Sequence, residues 1–113
     1  MHELGVLLQV VEQVEEVAAQ NQVEKIKTLV LQVGEISAMI PRYMQKLYPA
    51  AVSESVLEGS ELKIEIIPAN GRCRECKNVF SLTENKGVCP HCQSESFEMI
   101  SGREFFIKEI VCE

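Results

Sequence analysis

Residues 71–96 read GRCRECKNVFSLTENKGVCPHCQSES. Two Cys-x-x-Cys pairs, Cys73 with Cys76 and Cys89 with Cys92, stand twelve residues apart within that stretch. It is short of aliphatic side chains and rich in Cys, Gly, Ser, Asn and charge, so it cannot build a core of its own. Each pair turns the chain until both thiolates face one point. Two such knuckles meeting present four sulfurs as a tetrahedron, which suits Zn²⁺. Ligation free energy then stands in for the missing core. The spacing predicts a structural zinc ribbon with Cys73, Cys76, Cys89 and Cys92 as ligands. Four protein ligands leave no open coordination position, so the expected centre is not catalytic. Iron in the same sulfurs would make an electron carrier. A thioredoxin-like redox pair would need a βαβ context, and none precedes either knuckle.

Outward from this insert the pattern becomes aliphatic and periodic. Leu4, Leu7, Leu8, Val11, Val14 and Ala18 recur at helical spacing and predict an amphipathic helix over 4–20 that stops at Asn21. Residues 24–34, EKIKTLVLQVG, read as a strand with apolar side chains on both faces, as expected of a central strand. Pro41 opens a second predicted helix over 41–55, with Tyr43, Leu47, Ala50, Ala51 and Val52 as its buried stripe and Pro49 as a possible break. Leu62, Ile64 and Ile66 alternate with Lys63 and Glu65 in a second strand. After the insert, REFFIKEIVC reads as a last strand. The order implies an α+β fold of two modules. One, residues 1–70 plus 97–113, sets two helices on a three-stranded sheet; the other is the zinc-ribbon insert, residues 71–96.

The bulk properties narrow the function. The chain has 113 residues, a formal net charge of −6 and 46% hydrophobic residues, with 5% aromatics. That is one small domain with an aliphatic core, or such a domain carrying a smaller module. The negative charge opposes non-specific nucleic-acid binding and anionic membranes. No signal peptide or membrane-spanning run is visible, which predicts a cytoplasmic protein. Five cysteines in a reducing compartment point to metal before disulfides. The chain carries no G-x-S-x-G nucleophile and no phosphate-binding glycine loop, so the expectation is a binding or delivery module, not an enzyme. His91 reads as exposed and without a ligand role, and Cys112 as a bland strand or tail thiol.

The first residues are Met1, His2 and Glu3. Methionine removal needs a small second residue, so a histidine there retains Met1. The α-amine and the His2 amide nitrogen can close a five-membered chelate. The His2 amide and its imidazole can close a six-membered one, and the Glu3 amide or carboxylate can approach as a fourth donor. Nitrogen-rich square-planar sites favour Ni(II) or Cu(II). The first four N–H groups of a helix have no intrahelical partner, so deprotonating those of His2 and Glu3 breaks no helical hydrogen bond. By itself Glu3 is equally well read as ordinary complementarity to the helix dipole, and His2 as a solvated terminal side chain.

Taken together, MHEL at the start, LVLQVGEISAMIP in the first strand and turn, and CREC–x12–CPHC before a short last strand resemble the HypA/HybF family over the full chain. Members are nickel metallochaperones for [NiFe] hydrogenase maturation, and in some bacteria for urease. The resemblance implies an α/β nickel-binding domain and a zinc-ribbon domain. It implies Ni(II) as cargo at the N-terminus, bound by the His2 imidazole, with the Met1 amine and the backbone nitrogens of His2 and Glu3 as companions. It implies structural Zn(II) on Cys73, Cys76, Cys89 and Cys92. Implied partners are a nickel-handling GTPase, often called HypB, and the hydrogenase large-subunit precursor, for a monomer or weak homodimer that uses neither membrane nor nucleic acid. Ile40 and Arg42 depart from the acidic residues that some relatives carry there. The contrasting reading is a zinc-ribbon module for protein or nucleic-acid contacts. Arg72, Arg74 and Lys77 favour it; Glu75, Glu84, Glu95 and Glu98 dilute that cluster.

Overall fold

The computed structural model describes residues 2–113, with side chains from Glu3 onward. Its elements are α1 (His2–Gln20), β1 (Ile26–Gly34), α2 (Pro41–Ala51), β2 (Glu61–Ile67), β3 (Asn70–Cys73), β4 (Val79–Ser81), β5 (Phe97–Ser101) and β6 (Phe105–Cys112). They divide into two compact units. The first comprises residues up to Gln32, 38–65 and 106–113; the second comprises 33–37 and 66–105. Among the described residues, no helix is long and apolar enough to cross a membrane.

In the first unit, α1 buries Leu7, Val10, Val14 and Ala18, a stripe that Glu3 joins at its N-terminal end. Leu8 was expected in that stripe but is half exposed, and Val10 takes its place. Spacings of three and four from Leu7 continue through Val10 and Val14, whereas Leu8 lies one position around the helix. The helix ends where predicted. The Asn21 side chain donates to the Val17 carbonyl, Gln22 turns left-handed at φ 57°, and the Val23 N–H donates back to the Ala18 carbonyl. That six-to-one bond satisfies a carbonyl the helix leaves open.

α2 begins at Pro41, whose missing N–H costs nothing there. It runs through Pro49 and stops at Ala51, shorter than the expected 41–55. Glu54 adopts φ 62°, and Ser55 Oγ donates to the Val52 carbonyl, so the chain has already turned. The buried row is Met44, Tyr48, Ala51 and Val52; Tyr43 and Ala50, expected inside, are exposed. Rows 43–47–50 and 44–48–51 have the same period. The second can bury a ring because Tyr48 shares a hydrogen bond of 2.7 Å with Ser60. Tyr43 instead lies under the Arg42 guanidinium, 5.0 Å from ring centroid to Cζ.

The first sheet has the order β2-β1-β6, which puts β1 in the centre. Ile26, Leu29, Val30, Leu31 and Val33 are buried on both faces of β1, as its apolar side chains on both faces predict. Each such side chain contributes about 1.5–3 kcal/mol on burial. One polar row crosses this sheet. Gln32 of β1 donates to Glu65 of β2 at 3.3 Å, and Lys108 of β6 reaches the same carboxylate at 2.8 Å.

The second unit holds another three-stranded sheet, order β4-β3-β5, with both pairings antiparallel. The sequence showed no strands there. Its small core is Ala69, Cys73, Phe80, Leu82 and Cys89, with Cys76, Phe97 and Met99 packed against it. Phe80 and Phe97 meet edge to face, 6.1 Å between centroids. Segment 33–37 is tied into this unit by backbone bonds. Gly34 N–H donates to the Glu104 carbonyl, Glu35 N–H to that of Ile67, and Ile36 N–H to that of Gly102. The Glu35 carboxylate accepts the Ala69 N–H at 2.8 Å. A Cβ on Gly34 would lie 2.1 Å from the Gly102 oxygen, so only glycine fits.

Candidate metal centre

The four predicted cysteines converge. The Sγ atoms of Cys73, Cys76, Cys89 and Cys92 all lie within 4.8 Å of one another. Cys73 and Cys92 sulfurs are 3.5 Å apart, and those of Cys76 and Cys89 are 3.6 Å apart. With metal–sulfur bonds of ~2.3 Å, a tetrahedral four-thiolate site has sulfur–sulfur edges of ~3.8 Å. The donors therefore fit one four-coordinate thiophilic ion. No disulfide links them.

The two knuckles repeat one another. Cys73 N–H donates to the Asn78 carbonyl at 2.8 Å, and Lys77 N–H donates to the Cys73 carbonyl at 3.0 Å. Cys89 N–H donates to the Ser94 carbonyl at 2.9 Å, and Gln93 N–H donates to the Cys89 carbonyl at 2.8 Å. The turning residue is left-handed in both, Lys77 at φ 68° and Gln93 at φ 64°. Each costs about 1 kcal/mol against a right-handed residue, a cost the closed turn and its ligands offset.

Donors outside the cysteines shape the charge. The Cys76 N–H points at the Cys73 sulfur, and Asn78 Nδ2 reaches the Cys89 sulfur of the other knuckle at 4.0 Å. The Cys76 amide is the main reason the Cys73 thiol falls to about 6. The Ser94 amide favours the Cys92 thiolate, but the Cys73 sulfur, burial and the other two thiols outweigh it and push Cys92 up to about 12. The Cys76 thiol is raised and the Cys89 thiol lowered. Without a cation the four thiols do not ionise together: their surroundings favour the thiolate at Cys73 and Cys89 and oppose it at Cys76 and Cys92. A divalent ion removes that conflict, because it lets all four ionise at once. Asn78 went unnoticed as a sulfur donor in the sequence; its place two residues past the first knuckle is its only signal.

His91 is exposed between Cys89 and Cys92, and Cys112 is exposed near the end of β6. Neither belongs to the cysteine group, which is the metal-ligand cluster found among the described residues. His2 is the first residue of α1; its side chain and all of Met1, predicted nickel donors, lie outside the described residues. The Glu3 carboxylate is buried and accepts the Ile40 N–H at 3.2 Å, a role the sequence did not suggest.

Paired knuckles with a closed four-thiolate centre, together with a two-helix, three-stranded unit, define a small α+β metal-binding protein. Its sequence matches the family model for "Hydrogenase/urease nickel incorporation, metallochaperone, hypA" over residues 1–112. The chain belongs to this HypA family of nickel metallochaperones. Hydrogenase maturation factor HypA of Trichodesmium erythraeum is 37% identical over 113 residues, covering 100% of this chain and 96% of the relative. That of Dechloromonas aromatica is 31% identical, covering 100% of both. Among solved structures, the solution structure of the nickel metallochaperone HypA from Helicobacter pylori superposes with a TM-score of 0.66 at 27% identity, over 97% of this chain and 96% of that one. A second HypA solution structure superposes with a TM-score of 0.72 at 28% identity, over 100% and 97%.

Proposed function

We propose that this chain binds Ni(II) at its N-terminus and delivers it for maturation of [NiFe] hydrogenase, and of urease where that enzyme is present. The family match from residue 1 to residue 112 carries this reading, because it includes the terminal residues themselves. The nickel donors are the His2 imidazole, the Met1 amine and the backbone nitrogens of His2 and Glu3. Two features support that set. α1 starts at His2, so these amides belong to a first turn whose N–H groups have no intrahelical acceptor. The Glu3 carboxylate accepts the Ile40 N–H, so Glu3 offers nickel its backbone nitrogen in preference to its side chain. Such a site tightens as pH rises and loosens as its nitrogens take up protons, which suits a carrier that must let go.

Cys73, Cys76, Cys89 and Cys92 hold structural Zn(II). Four thiolates in a closed tetrahedron match zinc and leave no position for a substrate. The unit that holds the ribbon 71–96, residues 33–37 and 66–105, is thus the permanent scaffold, and the unit of residues up to Gln32, 38–65 and 106–113 carries the cargo. The chain acts as a carrier, not a catalyst, in the cytoplasm. It exchanges nickel with the GTPase HypB and the large-subunit precursor, as a monomer or weak homodimer.

The test is nickel titration of the untagged protein and of His2→Ala, with zinc content measured beside it. Wild type is expected to take up one exchangeable nickel and hold one zinc through dialysis. His2→Ala should lose the nickel and keep the zinc. Normal nickel uptake by His2→Ala would remove the terminal site. Loss of zinc with nickel would show that the variant had failed to fold.

A further inference from the structure

The two knuckles share one backbone but not one charge. Superposing Cys73 on Cys89 places Arg72, Arg74 and Lys77 on Val88, Pro90 and Gln93. The first knuckle is cationic at all three positions and the second at none. The knuckle fold therefore does not require the cations. A divalent ion in four thiolates leaves two negative charges on the centre, and nearby cations lessen that charge. That alone does not gather them all on one half of a symmetric site.

The three side chains are exposed and line one open groove of about 170 Å³ with Cys73 and Glu98. Arg72 and Glu98 face each other across β3 and β5 and meet at 3.5 Å. Among the described residues, no carboxylate comes within ion-pair distance of Arg74 or Lys77. Two of the three cations thus point into the groove without a countercharge, on a chain whose net charge is −6. Arginine forks are suited to carboxylates, and lysine adds a point charge.

We propose that the groove of Arg72, Arg74 and Lys77 is a docking site for a short acidic segment of a partner polypeptide. A cluster of two or three carboxylates satisfies the cations. A longer polyanion fits poorly, because Glu75 stands between the cations in sequence and the chain as a whole carries a net charge of −6, which would repel further phosphates. Glu98 is the internal competitor: it occupies Arg72 until a partner carboxylate displaces it. The proposal is independent of the nickel terminus, since it concerns a different unit of the chain and no nickel ligand.

The test uses the metal-loaded full chain, labelled with ¹⁵N, and a capped hexaglutamate peptide at low ionic strength. Amides of 72–77 and of Glu98 should shift, and those of 88–93, on the equivalent backbone, should not. Arg72→Gln, Arg74→Gln and Lys77→Gln combined should weaken peptide binding roughly tenfold or more, with metal retention against a chelator unchanged. Glu98→Gln should tighten it by about two- to threefold, because it frees Arg72. Equal shifts at both knuckles, or unaltered binding by the triple variant, would overturn the proposal. So would tighter binding of a single-stranded oligonucleotide of the same charge. If the triple variant loses its metal in step with peptide binding, the cations serve the centre and the docking site is discarded.

Discussion

Glu3 and Ile40, 37 residues apart in sequence, are joined by a hydrogen bond from the Ile40 N–H to the Glu3 carboxylate at 3.2 Å. Ile40 is the residue that caps α2, and it has no side chain able to do so. The carboxylate thereby ties the start of one helix to the start of the other. Glu3→Ala leaves a part-buried N–H unpaired and should cost about 1–3 kcal/mol, with Glu3→Gln costing less. Urea unfolding followed by helical circular dichroism reads this. An alanine variant with the wild-type midpoint would show that the bond contributes nothing.

Acid should weaken the second unit through two of its carboxylates. The Ala69 N–H, then the Thr83 side chain, hold the Glu35 carboxyl below its ordinary 4.5. The Gly102 N–H does the same for Glu104. A carboxyl with a lowered folded-state pKa stabilises the fold above its unfolded value, and that contribution disappears as pH falls through the folded one. The loss therefore starts as pH drops below about 4.5 and is complete under the lowered values. Glu35→Gln keeps an acceptor for Ala69 but cannot titrate. Its stability should fall less steeply in acid than that of wild type, as read from urea midpoints across the acid range. Parallel acid limbs would count against Glu35.

Gly34→Ala should be among the most damaging small substitutions. Its new methyl would lie 2.1 Å from the Gly102 oxygen and 2.6 Å from the Arg103 nitrogen, both backbone atoms that cannot swing aside. A loss of about 2–4 kcal/mol is expected, seen as a lowered thermal midpoint. Gly5→Ala is the control, because nothing lies within 4 Å of its would-be Cβ. Similar midpoints for the two variants would refute the close approach.

Stripping the metal should dissolve one unit and spare the other. Cys73 and Cys89 are two of the five residues in the small core, so their repulsion when unligated acts at its centre. Chelation should collapse the amide dispersion of 66–105 while α1 and α2 keep their helical signal. Reloading near pH 7 should restore that dispersion and release close to four protons per ion, because the four thiols of a dissolved unit stand near their ordinary ~8.5. A pH indicator in weak buffer counts them. Release of two or fewer, or a uniform loss of structure, would contradict this picture.

The parts of this molecule that were legible in the sequence are those where residue type alone decides. Four cysteines at knuckle spacing allow one arrangement, and the apolar run of β1 allows one place in a sheet. The helix faces were less legible because valine and leucine recur on neighbouring rows. Val10 and Leu8 differ by position, not chemistry, and only the packed unit chooses between them. Tyr43 and Tyr48 are the same residue type, separated by whether a Ser60 hydroxyl is in reach. The strands β3 to β5 were hidden because their core is mostly thiols and two phenylalanines with few aliphatics beside them, Ala69, Leu82 and Met99, a composition that reads as loop. Glu3 was hidden because an acid at a helix start already has an ordinary explanation.

Segment 33–37 belongs with 66–105, and it arrives there by a separate stretch of chain. The second unit is therefore not a cassette. A cut that removes 66–105 as one block would abandon Gly34, Glu35 and Ile36, whose N–H groups lose the carbonyls of Glu104, Ile67 and Gly102 together. A graft of 66–105 onto another scaffold would arrive with those same carbonyls bare. Anyone transplanting this metal centre must carry the five-residue splint of 33–37 with it, as a second piece supplied in cis or in trans.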